Sequence, residues 1–153
     1  MMIRKYLPVI ILLLGQTSPA SAKEGFLTSR CNNTYPEAMS FVQEQLVKRG
    51  YTVSRVQHVD KGLKARGYES LRYRVVFFGK SDEISMIKSQ YPALIPFFPL
   101  NITVYEEKDH VGISVMDPMT IQQLYTEDML KNKFSQWSQD VRAIVKSFEH
   151  CES

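Results

Sequence analysis

Histidine, cysteine and glycine are all scarce in this chain. Its 153 residues hold three histidines, two cysteines, seven glycines and a single tryptophan. With no C-x-x-C, neither a thiol beside its resolving partner nor c-type haem attachment is encoded. The phosphate-cradling loop, the dinucleotide fingerprint, G-x-S-x-G and H-E-x-x-H are all missing. Charge of one sign is missing too. Removing residues 1–22, which hold Arg4 and Lys5 and no acid, leaves 17 basic residues against 16 acidic ones. A chain so balanced has no electrostatic drive toward nucleic acid or an anionic membrane. No apolar run reaches the roughly 20 residues that a membrane-spanning helix needs.

What is present begins with a leader. Arg4 and Lys5 precede the apolar run Leu7 to Leu14, and Ala20-Ser21-Ala22 follows as a small-residue cleavage site. This order predicts a secretory signal peptide over residues 1–22 and an exported chain starting at Lys23. The destination is the periplasm in a Gram-negative host and the medium otherwise. The remaining 131 residues suit one domain, 23–153, and an apolar fraction of 44% is that of a globular protein. Cys31 and Cys151 stand 120 residues apart in a chain bound for an oxidising compartment, which favours a disulfide. A bridge within the chain, a bridge between chains and two free thiols all remain open.

The elements follow from periodicity. Gly25 to Arg30 suits a short strand. Thr34 and Glu37 have capping-box spacing, with Pro36 in the first turn. Tyr35, Met39, Val42 and Leu46 then form one apolar stripe, and Gly50 is placed to end the helix. Tyr51 to Val59 reads as a strand whose broken alternation implies a bulge, and a polar connection runs on to Ser70. The unbroken Val75-Val76-Phe77-Phe78 suits a central strand covered on both faces. A short capped helix runs from Ser81 to about Gln90.

Pro92, Pro96 and Pro99 then forbid regular structure in an otherwise apolar loop. That loop either covers its own core or presents Phe97, Phe98 and Pro99 as a subunit interface or pocket wall. Residues 101–105 and 111–115 alternate as a hairpin. Leu130, Phe134, Trp137, Val141, Ile144 and Phe148 make one face of a long C-terminal amphipathic helix. The expected class is α+β: a two-layer α/β domain with a mixed sheet packed against helices.

An ordered set of segments is similar to the domain-of-unknown-function 302 family. It runs from Lys48-Arg49-Gly50-Tyr51 through Val56-Gln57-His58-Val59-Asp60 and Gly67 to Tyr73-Arg74-Val75-Val76-Phe77-Phe78-Gly79. Pro92 and Pro99-Leu100 then lead into Ile102-Thr103-Val104-Tyr105-Glu106, Val111 to Val115 and Asp117-Pro118. The resemblance implies helices layered on a sheet and a capacity to pair as a homodimer. It implies no reaction. The leader, the two cysteines and the long C-terminal helix are additions to the barer family pattern.

Three functional readings follow. The first is an exported, non-enzymatic binding or interaction domain of unknown ligand, with Phe97, Phe98 and Pro99 on its binding surface. The second is a metal- or haem-associated accessory protein with His58 as first ligand. Metal sites need several convergent donors, and the spacing of His58, His150, Cys151 and the methionines does not bring them together. The third is a small enzyme in which Asp60, two residues on, orients His58 as an acid–base pair. No catalytic residue and no cofactor is assigned. Arg72 and Arg74 flank Tyr73, and strand alternation puts both on one face, where two guanidinium groups can hold a carboxylate or phosphate. A solvated cation pair is the plainer reading. His110 and His150 have ordinary explanations as an exposed turn and a helix end. Sequons at Asn32 and Asn101 matter only in a glycosylating host.

Overall fold

The computed structural model describes residues 25–151. The predicted leader lies outside them. Within that range a five-stranded sheet carries helices on one face. The strands are β1 (Phe26–Cys31), β2 (Thr52–Gln57), β3 (Tyr73–Gly79), β4 (Leu100–Glu106) and β5 (Val111–Met116). They lie in the order β1-β5-β4-β3-β2. The helices are α1 (Tyr35–Lys48), α2 (Val59–Lys64), α3 (Ser81–Gln90), α4 (Met119–Gln122) and α5 (Asp128–Phe148). The α+β class stands. The mixed sheet does not, because every neighbouring pair is antiparallel. A strand–helix–strand start usually lays two strands side by side in parallel. Here α1 carries the chain across the whole sheet, so β1 and β2 occupy opposite edges and never meet.

The local signals act as their chemistry dictates. Thr34 caps α1: its hydroxyl accepts from the Glu37 amide, and the Glu37 carboxylate accepts from the Thr34 amide. Gly50 takes φ 77, the left-handed turn that lets β2 start at once. The register of β2 against β3 shifts between Val53 and Arg55, which is the expected bulge. Two expectations change. The polar connection after Val59 contains α2, whose one buried residue is Asp60. The proline loop forms a 3₁₀ turn over Pro92–Phe97 with Leu94 buried.

One core joins the inner sheet face to α1 and α5. Val76, Phe78, Ile102, Val104, Ile113 and Val115 alternate onto it. They meet Tyr35, Val42 and Leu46 of α1 and Phe134, Trp137, Val141 and Ile144 of α5. Cys31 and Cys151 are joined as a disulfide, with Cα atoms 6.0 Å apart. The bridge ties the end of edge strand β1 to the turn beyond α5. Asn33 Nδ2 donates to the Cys151 carbonyl at 2.7 Å across the same junction.

Candidate functional site

Two features stand out once the core is accounted for. The first is the outer sheet face. Val75 and Phe77 of β3 are only half-buried, so the apolar run is covered on one side and not two. The register sets Thr28, Ser114, Thr103, Val75 and Gln57 in one row across all five strands. That row carries no charge. Tyr73 lies opposite Tyr105, which in turn lies opposite Gly112. The Tyr105 ring covers Gly112 so closely that a Cβ there would overlap it. Any larger residue at that position needs the Tyr105 ring to move.

The second feature is a corner where α1, α2 and β3 meet. Tyr35, the first residue of α1, is buried, and its hydroxyl donates to the Val104 carbonyl at 3.2 Å. The Arg72 guanidinium carbon lies 4.2 Å from the centroid of its ring and that of Arg74 5.5 Å. Arg74 follows the same alternation as Val76 and Phe78, so it faces the helices and not the solvent side. The Arg74 Nε and Asp60 Oδ1 atoms are both buried without a hydrogen-bond partner. Arg72 Nη1 lies 3.8 Å from a Glu106 carboxylate oxygen, beyond hydrogen-bond reach. A groove of about 390 Å³ opens beside the corner, lined by Thr34, Tyr35, Arg72, Glu106 and His110 among others.

Burial pushes the Tyr35 phenol up to about 12, against the lowering pull of Arg74 and Arg72. Burial also raises Tyr51, helped by its 2.7 Å hydrogen bond to the Asp140 carboxylate. In both cases the unfolded phenol ionises first as pH rises. Stability from these groups is therefore complete below about pH 10 and falls above it, with a slope approaching about 1.4 kcal/mol per pH unit for each tyrosine. Urea unfolding followed from pH 9 to pH 12 should show that fall; a flat profile would contradict the buried, protonated phenols.

The remaining candidates from the sequence are scattered. His58 is exposed just before α2, whereas Asp60 is buried in its first turn. Among the described residues no hydrogen bond or ion pair joins them. Phe98 packs edge-on against Trp137, with centroids 4.9 Å apart. Phe97 borders a crevice of only about 10 Å³, and Pro99 is half-buried. The proline segment thus lies against the protein's own core. His110 sits against the Glu107 carboxylate, and His150 is exposed beyond α5. Among the described residues no three histidine, cysteine or acidic side chains converge as metal ligands. Tyr35 was not among the sequence candidates. Its only signal is a polar-tipped ring within a stripe of core positions.

A family model for "Domain of unknown function DUF302" matches residues 27–148, from β1 to the last residue of α5. The chain belongs to this family. A solved DUF302 structure, of an uncharacterized conserved protein from Bacillus stearothermophilus, superposes with a TM-score of 0.71 at 17% identity. The match covers 79% of this chain and 95% of that one. At that identity the DUF302 likeness speaks for the fold alone. No curated protein matches the chain.

Proposed function

We propose that this DUF302 protein is an exported binding or interaction domain whose outer sheet face pairs with a second copy of itself. The observation that carries the reading is the half-buried surface of Tyr73, Val75, Phe77 and Tyr105 on a face that no helix of the described residues covers. An antiparallel sheet tolerates one solvated face when that face alternates to polar residues. Here β3 puts Val75 and Phe77 on it instead. A second copy suits the face because a two-fold axis brings identical rows together. The row from Thr28 to Gln57 carries no charge, and the charges the register places on this face, Arg30 and Arg55, stand on the two edge strands. Export is supported by the leader pattern and by the Cys31–Cys151 bridge.

Sedimentation velocity over a concentration series tests the pairing. Wild-type mature chain should shift from monomer toward dimer as concentration rises. Thr103→Arg places a charge at the centre of the row and should hold the chain monomeric with unchanged circular dichroism. A wild type that stays monomeric throughout, or a variant that pairs equally well, would defeat the proposal. Export itself predicts that the recovered chain begins at Lys23; full-length protein found only in the cytoplasm would refute it.

A further inference from the structure

Charge balance over the whole chain gives no drive toward an anionic membrane, but it conceals a division along the chain. Residues 48–80 hold nine of the 17 basic residues beyond the leader and only two of the 16 acidic ones, Asp60 and Glu69. Folding keeps this excess together, because β2, α2 and β3 all lie toward one edge of the sheet.

Part of the excess gathers where α2 ends. Lys61 and Lys64 stand three residues apart, so they are neighbours on one face of the helix. Gly67, at φ 83, then turns the chain back. Its amide donates to the Lys64 carbonyl at 3.0 Å, and the Tyr68 amide donates to the Leu63 carbonyl at 3.1 Å. This helix stop holds Arg66 and Tyr68 beside the last turn of α2. Leu71 follows three residues on, within about 11 Å of Tyr68 between Cα atoms. Lys61, Lys64 and Arg66 are exposed, and among the described residues none of them forms an ion pair. Asp60 is buried, which leaves Glu69 as the exposed acid of the segment.

Two large apolar groups project from the same turn. Tyr68 is 63% exposed and Leu71 65% exposed. Such exposure belongs to a projection and not to the wall of a groove. Apolar groups projecting among unpaired cations suit a partner with negative charge outside and an apolar layer just beneath. An anionic bilayer has that order. Its headgroups attract lysine and arginine, tyrosine settles at headgroup level, and leucine reaches the acyl boundary. A soluble acidic polymer would satisfy the cations and leave Tyr68 and Leu71 in water.

We propose that the turn from Lys61 to Leu71 docks the protein peripherally on an anionic phospholipid bilayer. Lys61, Lys64 and Arg66 meet the headgroup phosphates, Tyr68 and Leu71 enter the interface, and Glu69 weakens the attraction.

Vesicle flotation of the oxidised mature protein at physiological ionic strength tests this. Vesicles of equal parts phosphatidylglycerol and phosphatidylcholine should bind at least tenfold more tightly than pure phosphatidylcholine. Replacing Lys61, Lys64 and Arg66 together by serine should weaken binding tenfold or more, since each cation near an anionic surface is worth about five-fold. Tyr68→Ser combined with Leu71→Ser should weaken it several-fold, and Glu69→Lys should strengthen it. Poly-L-glutamate is the probe for a soluble acidic partner and should compete poorly with the vesicles. No flotation with anionic vesicles, equal flotation with neutral ones, or flotation that survives loss of the three cations would overturn the assignment. So would strong competition by poly-L-glutamate with no effect of the Tyr68 and Leu71 changes, which would make an acidic protein the partner. Should a variant misfold, the two vesicle compositions compared on the wild type still decide.

Discussion

Replacing Cys31 and Cys151 together by alanine is expected to lower the unfolding free energy by about 2–5 kcal/mol. The bridge closes a loop of 120 residues, nearly the whole described chain. In the chain-entropy account, a loop that long removes roughly 5 kcal/mol of freedom from the unfolded state. The double variant is the right comparison, because a single Cys31→Ser leaves a buried hydroxyl beside a buried thiol. Oxidised and reduced wild type should differ in the same sense in urea. The reduced chain should also show a steeper dependence on denaturant, since its unfolded state is more expanded. Hydrogen exchange should locate the loosening in β1. Among the described residues that strand lies at the sheet edge and pairs only with β5, and it is fastened at its far end by Cys31. A difference under about 1 kcal/mol between the oxidised and reduced forms would show that the cross-link hardly constrains this fold.

Trp137→Ala should cost about 3–5 kcal/mol, the usual range for emptying a large aromatic site in a core. Trp137 is the largest fully buried side chain and packs edge-on against both Phe98 and Phe134. It therefore joins the proline segment to α5. Its Nε1 donates to Glu83 Oε2 at 2.7 Å, while Lys133 Nζ donates to Oε1 at 2.8 Å. Removing the indole leaves a buried carboxylate with half its partners. Trp137→Phe separates the two contributions. It keeps most of the ring and removes the N–H, and should cost about 1–3 kcal/mol. Equal losses from the phenylalanine and alanine variants, measured by urea unfolding, would mean that the hydrogen bond to Glu83 dominates and the ring packing does not.

The parts of the fold that were legible in the sequence are those whose signals are local. Thr34 and Glu37 needed only each other to announce the start of α1. The stripe from Leu130 to Phe148 needed only the helical repeat. The bulge in β2 showed as broken alternation. Helix α2 escaped because it is six residues long and buries only Asp60, so it has no apolar stripe to read. That miss misplaced a candidate site. The His58/Asp60 pairing assumed strand alternation, and α2 starting at Val59 ends that alternation between them. The run Val75 to Phe78 misled in a different way. Its apolar residues mark two covered faces in a parallel sheet, but here the second pair lies on the open side.

The Tyr35 corner was half visible. Arg72 and Arg74 share a face by spacing alone, as the alternation required. That a tyrosine from α1 would lie against both depends on contacts between residues far apart in sequence. The DUF302 family supplies the arrangement of helices on a sheet.

Oxidative footprinting of Tyr73, Phe77 and Tyr105 tests the central claim most directly, because it reads the outer sheet face in solution. At concentrations where the wild type pairs, these three rings should label more slowly than in Thr103→Arg, while exposed Tyr68 labels alike in both. Equal labelling of the three rings in the two proteins would contradict a second copy on that face.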